Sequence, residues 1–485
     1  MHNAHKDHAH SARIGRLHAR SDLPEGNKGT TKSSVLEVRS RIHWVGRTVT
    51  LSASLGICGL HLWQYIFRER ERVTVRKLAS LAVEDPSHTD SGSVEKIAAP
   101  TLQLHVTNAC AVWCLQVPAG FAADRFGGKW LFGGSVLLSS VVALLTPAAA
   151  RIHIGLLTSL RVLSGLGDGV MVPAMFALIA RWSAPQYRSI VVSLVFSGMD
   201  AGIFTGFLLS GVLCDYGFAG GWPSVFYVFG MVGCLCSGCW FFLSYNSPQT
   251  HPRISTAELD YWKKVIGAGD LESHPQTPWR DIFTSVPVWA LAVTFFAVVW
   301  LYILFASCLP LFMHDVLGVN MTRNGELSTI PFIGSLLALT VTGVLVDWLR
   351  SPGRLSTTFV RKLVCVVGFT VSGIAIVSAG YVGCNRTLVT MAISVAVAIA
   401  SLNYLTAAAN PLDLAPLHAG KIMGLTYAFG NLGAIGGPLA VGALTSEQST
   451  RSEWQRVFFL TAAINAVSGT AFVVFGSGER QSWAD

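Results

Sequence analysis

Between residues 44 and 476 the chain is a succession of apolar runs, most of them twenty or more residues long and nearly free of charge. A bilayer core about 30 Å thick needs ~20 apolar residues per crossing helix. The runs predict helices near 44–67, 100–122, 130–150, 152–180, 188–214, 222–245, 286–314, 326–349, 361–382, 387–410, 417–445 and 454–476. Charged residues make up 13% of the chain, about half the ~25% usual in soluble domains. A soluble fold has no reason to give up that surface; lipid-facing positions must. The expectation is an all-α membrane protein of twelve transmembrane helices with the bilayer as its partner.

The formal net charge is +8. Its basic residues cluster between the apolar runs, which fits topology and argues against a nucleic-acid partner. With the N-terminus inside, the cytoplasmic loops hold Arg125 and Lys129, then Arg181 and Arg188, Lys263 and Lys264, and Arg350, Arg354, Arg361 and Lys362. The exception is Arg68-Glu-Arg70-Glu-Arg72 with Arg76 and Lys77, which the same count places outside. Residues 1–43, with His2, His5, His8, His10 and His18 among Lys, Arg, Gly and Ser, read as a disordered cytoplasmic tail without a signal peptide. The polar stretch 246–285 reads as a cytoplasmic linker between six-helix bundles at 44–245 and 286–476, and 477–485 as a second tail. Sequons at Asn320 and Asn385 fall in loops on the opposite side, where glycosylation is expected. The cysteines within the runs, Cys234, Cys236 and Cys239 included, read as small hydrophobes, so no metal and no cofactor is expected.

An internal repeat organises the runs. Gly120-Phe-Ala-Ala-Asp124-Arg125-Phe-Gly-Gly128-Lys129 follows the second span, and Gly343-Val-Leu-Val-Asp347 follows the eighth, 223 residues later. The Gly-rich fifth span, from Gly198, is matched by the eleventh, from Gly424, 226 residues later. Two features sharing nearly one offset imply two homologous halves that rock about a central site. Glycines in the loop permit a tight turn and close helix approach. Asp124 can face a helix N-terminus and Arg125 can pair across the half-interface. This loop and its copy resemble the signature loop of the major facilitator superfamily, which implies a gate and not a substrate contact.

The fourth span carries Arg161, Gly165, Gly167, Asp168, Gly169, Pro173 and Ala174. A guanidinium within a span costs several kcal/mol unless it meets water or a partner. Arg161 and Asp168 are seven residues apart, so they share one helix face about 10 Å apart along the axis. An Arg fork suits a carboxylate or phosphate oxyanion, and an acid in such a cavity can carry a proton. A structural ion pair between helices is the plainer alternative. A dinucleotide loop is excluded, because no strand precedes these glycines.

These residues resemble the fourth helix of the anion:cation symporters, the family of vesicular glutamate transporters, sialin and type I phosphate transporters. Further stretches resemble it too: Gly221-Trp222-Pro-Ser-Val-Phe-Tyr227, Thr277-Pro-Trp279-Arg280, Ser356 to Lys362, Leu412-Asp413-Leu-Ala-Pro416 and Ser477 to Ala484. The resemblance covers about 100–485. It implies transport of a small anion coupled to a proton, to sodium or to membrane potential. Arg161 would contact the anion, with His105, Asn108 and Tyr302 as further candidate contacts, and Asp168 would couple the cation. Asp200, foreign to the family pattern, is a second candidate for coupling. Gln64 stands where relatives carry Arg, Ala297 and Val298 where they carry Arg or Asn, and Pro411 where they carry His.

The expected function is therefore secondary active transport of an organic anion (glutamate, sialic acid or a similar carboxylate) or of inorganic phosphate. The expected protein is monomeric, in a lysosomal, vesicular or plasma membrane. A non-transporting scaffold or sensor with the same fold is the rival, a channel a second. An enzyme is not expected, since no metal, nucleotide or nucleophile constellation is present.

Overall fold

The computed structural model describes residue 108 and 110–484, apart from 124, 257–258, 261, 264–276, 319–320, 352–353, 383–384 and 446–449. The expected first span, the His-rich tail, the Arg68–Lys77 run, His105, Asp124 and Asn320 lie outside the described residues.

Helix α1 (Cys110–Ala123) is the described part of the second expected span. It is followed by α2 (Gly128–Ile152), α3 (Ile154–Trp182), α4 (Arg188–Tyr216) and α5 (Trp222–Leu243). After the short α6 (Trp279–Thr284) come α7 (Val286–Asp315), α8 (Met321–Leu349) and α9 (Thr357–Tyr381). The chain closes with α10 (Arg386–Leu414), α11 (Ala419–Leu444) and α12 (Arg451–Phe475). Among the described residues ten helices are long and apolar enough to cross a membrane, each at an expected span.

Local chemistry marks the ends. Ser356 caps α9 by accepting from the Phe359 N–H, Asn385 caps α10 through Leu388, and Thr450 with Glu453 forms a capping box on α12. Proline opens α5 and α7 in the first turn, where no N–H bond is lost. Leu137, Val141 and Leu145 on α2 and Val341, Val344 and Leu345 on α8 are exposed. Such apolar surface suits lipid and not water.

The two halves meet along two antiparallel seams related by the repeat. On one, α1 lies against α11: a side chain at Gly120 would sit 2.9 Å from the Lys421 Cα, and one at Gly424 would sit 2.5 Å from the Gln116 carbonyl. On the other, α4 lies against α8. From one end inward its pairs are Ser189 and Ile190 with Asp347, Ser193 with Gly343, Ser197 with Thr340, Asp200 with Ser335, and Phe207 with Phe332. Small side chains let both helix pairs approach closely. The bundles are thus closed against each other at the end that carries the motif loops.

Candidate functional site

At that closed end the motif glycines do specific work. Gly127 has φ 86°, and a side chain there would collide with that of Asn246, whose Oδ1 accepts from the Lys129 N–H. Lys129 lies over the rings of Trp130 and Tyr245 at 5.2 and 4.9 Å. Arg125 is exposed and lies over the ring of its neighbour Phe126, 5.9 Å away. Gly128 is in contact with α3, where a side chain would sit 2.6 Å from the Ala174 carbonyl.

The second copy of the motif shows what its acid does. Asp347 of α8 accepts from the backbone N–H groups of Ser189 (3.3 Å) and Ile190 (2.8 Å) at the start of α4. A carboxylate on a helix N-terminus meets unpaired amides and the positive end of the helix dipole, so this bond joins one half to the other. Beside it Arg361, 1% exposed, donates to Asp413 from Nε (3.1 Å) and Nη2 (2.9 Å), and Nη2 also donates to Ser189 Oγ (3.0 Å). Arg350 donates to the other Asp413 oxygen at 3.0 Å. Arg188 of the first half donates to the Leu412 carbonyl of the second at 2.7 Å. The tail beyond α12 docks here as well: the Gln481 N–H donates to the Leu414 carbonyl at 2.9 Å and Ala484 is fully buried. By sequence Arg188, Arg350 and Arg361 mark the cytoplasmic loops, and counting basic residues does not reveal this cluster. Arg361 and Asp413 stand 52 residues apart at the ends of two successive spans, so no local spacing signals the pair.

A second polar group lies inside the first bundle. Asp168 of α3 is 5% exposed and accepts from Ser139 Oγ of α2 (2.7 Å) and from Ser164 Oγ (3.3 Å). Asn108 lies beside it and donates to the Arg161 carbonyl at 3.2 Å. Arg161 is 2% exposed and acts on Asp168 through charge. The α3 glycines on either side of this face pack on α1 and α2: Gly165 and Gly169 against Asn108, Ala111 and Val112, and Gly167 against Ser135, Leu138 and Ser139. Pro173 and Ala177 instead meet Gly420 of α11. Asp168 therefore points into the first bundle in this conformation. Counting from Ile154, Asp168 lies midway along α3, and Arg161 only about 10 Å from its start.

Between the halves lies a separate cavity of about 10 Å³, room for about one water. Its walls include Met199 and Asp200 of α4, Val298 and Tyr302 of α7, Ser335 of α8 and Tyr404 of α10. Tyr302 and Asp200 are thus brought together, with the phenol donating to the carboxylate at 2.6 Å. Val298 presents only methyls there, and among the described residues no Lys, Arg or His lines the cavity. Asn385 is exposed, and its side chain serves as the α10 cap, at the start of the helix that contains the rest of its sequon.

Comparison with known proteins agrees with this architecture. The Major Facilitator Superfamily profile matches residues 97–356. Human sialin is 35% identical over 369 residues, covering 76% of this chain and 74% of sialin. A putative inorganic phosphate cotransporter of Drosophila ananassae is 36% identical over 371 residues, 76% of this chain and 77% of its own. Vesicular glutamate transporter 3 of Danio rerio is 36% identical over 374 residues, 76% of this chain and 62% of its own. Among solved structures, the proton:xylose symporter XylE has the same fold, with TM-score 0.67 at 12% identity over 90% of this chain and 97% of its own. The human organic anion transporter MFSD10 does too, with TM-score 0.62 at 14% identity over 89% and 99%. A family profile matching more than half of the chain, and identity above 30% to these relatives over three quarters of it, make this chain a member of the major facilitator superfamily and, within it, of the anion:cation symporters.

Proposed function

We propose that the chain is a secondary active transporter that carries a small organic anion or inorganic phosphate by alternating access, coupled to a cation gradient or to membrane potential. The observation that carries this reading is Arg161, a guanidinium 2% exposed in a 29-residue apolar helix. Its relatives bear the names sialin, vesicular glutamate transporter and inorganic phosphate cotransporter. A buried guanidinium must be compensated in every state, and an anion admitted through the end opposite the gate is a natural partner. Asp168, on the same helix face, supplies the proton-exchanging group: neutral, it leaves Arg161 to the anion, and ionised, it competes for it. The Asp347–α4 bond and the Arg361–Asp413 cluster keep the motif end shut meanwhile.

Reconstitution tests this directly. Proteoliposomes are screened with labelled glutamate, sialic acid and phosphate under imposed proton, sodium and potential gradients. Uptake of at least one is expected, abolished in Arg161→Ala at equal protein abundance, and without its pH dependence in Asp168→Asn. Full uptake by a folded Arg161→Ala protein would overturn the role of the guanidinium. No gradient-driven uptake of any of the three by the wild type would favour the scaffold reading.

A further inference from the structure

Asp200 crosses the α4–α8 seam at mid-depth. Its carboxylate is 1% exposed; Oδ1 accepts from Tyr302 Oη of α7 and Oδ2 from Ser335 Oγ of α8, both at 2.6 Å. Both are short hydroxyl–carboxyl bonds, of the kind that strengthens when the acceptor is ionised. Both donors are neutral and both belong to the opposite half. Among the described residues the titratable groups facing it from the surrounding helices are phenols: Tyr302 on α7, Tyr404 on α10 and, bonded to Tyr404 at 3.2 Å, Tyr427 on α11. A carboxylate buried among neutral groups is costly to keep charged. Both its oxygens are already in direct contact with hydroxyls, and the adjoining space fits one water, so the cation best suited to neutralise it is a proton.

The repeat shows that the fold does not require an acid here. The 226-residue offset between the Gly-rich helices places Thr426 of α11 where Asp200 stands on α4. The Thr426 hydroxyl turns back onto its own helix and donates to the Ile422 carbonyl at 2.8 Å. The twin seam, α1 against α11, therefore has no carboxylate at this position. Asp200 is an addition to the architecture.

We propose that Asp200 is a proton-exchanging latch between the halves, distinct from the Arg161–Asp168 group. Ionised, it holds α7 and α8 to α4 and keeps the motif end closed. A proton taken from water adds to one carboxylate oxygen and both bonds become neutral, about half as strong. The seam is released, the halves rock, and the proton leaves to water on the other side. This deepens the transport reading and rests on it.

The test needs no substrate. The full chain, with reactive cysteines replaced, carries spin labels at Phe126→Cys and Leu355→Cys, exposed positions at the motif end in opposite halves. Distances are measured by double electron–electron resonance in phosphatidylcholine vesicles between about pH 5 and pH 8. The wild type is expected to gain a longer distance as pH falls. Asp200→Asn is expected to show one distribution at every pH, and Asp200→Glu to keep the response. Ser335→Ala and Tyr302→Phe, which leave the carboxylate in place, should open at a pH about one to two units higher, since each removes one bond to a charged acceptor. A wild-type protein without a pH-dependent distance, an Asp200→Asn protein that keeps it, or donor variants with an unmoved midpoint would each overturn the latch. A pH-dependent distance alongside failed uptake of all three anions would sink the anion reading and leave the latch standing.

Discussion

Replacing Asp347 by Asn tests the closed gate where its chemistry is simplest. The carboxylate is 8% exposed and accepts from two backbone amides of the opposite half, Ile190 at 2.8 Å and Ser189 at 3.3 Å. An Asn carbonyl can keep one of them; the other bond and the charge on the helix N-terminus are lost. A bond to a charged acceptor is worth about 1.5–3 kcal/mol and the helix-end charge about 0.3–1 kcal/mol. Taking ~2 kcal/mol net for this partly wet site, the ratio of open to closed gate rises about 30-fold. The assay is labelling of Ser197→Cys by an impermeant maleimide from the motif side. Ser197 is 7% exposed and lies about 13 Å along α4 from Arg188, so it is reached only when the seam parts. With opening fast relative to labelling, the rate follows the open population. An Asp347→Asn rate within threefold of the parent would refute the view that this bond holds the gate.

Two further outcomes follow from the same geometry. Gly127→Ala places a Cβ at φ 86° and 2.5 Å from the Asn246 side chain, so it should lower stability by about 1–2 kcal/mol or more, read as a lower Tm in detergent. Arg361→Gln leaves Asp413 with Arg350 as its charged partner in a site where Arg361 was 1% exposed. A loss of about 3–5 kcal/mol is expected, with a broadened thermal transition, and an unchanged Tm would refute it.

The spans, the two halves and the signature loop could be read from residues alone because each is a local or periodic signal. Twenty apolar residues in a row dictate a helix in lipid wherever they sit. A repeat offset survives divergence, and Gly127 is needed by a tight turn whose φ of 86° is a local property of the loop. The partners of charged groups could not be read in this way. Arg361 meets Asp413 and Ser189 across 52 and 172 residues, and Asp200 meets Ser335 across 135.

Sequence by itself thus determined that this chain is a two-half membrane protein with an Arg and an acid on one face of α3. The tertiary structure decided that Asp168 turns into the first bundle, and that Asp347 rests on the N-terminus of α4. It also decided that Asp200 crosses the half-interface at mid-depth, between two neutral hydroxyls. The reason is physical. Hydropathy records how much of a helix avoids water, whereas the fate of a buried charge depends on which distant dipoles the packing brings within 3 Å of it.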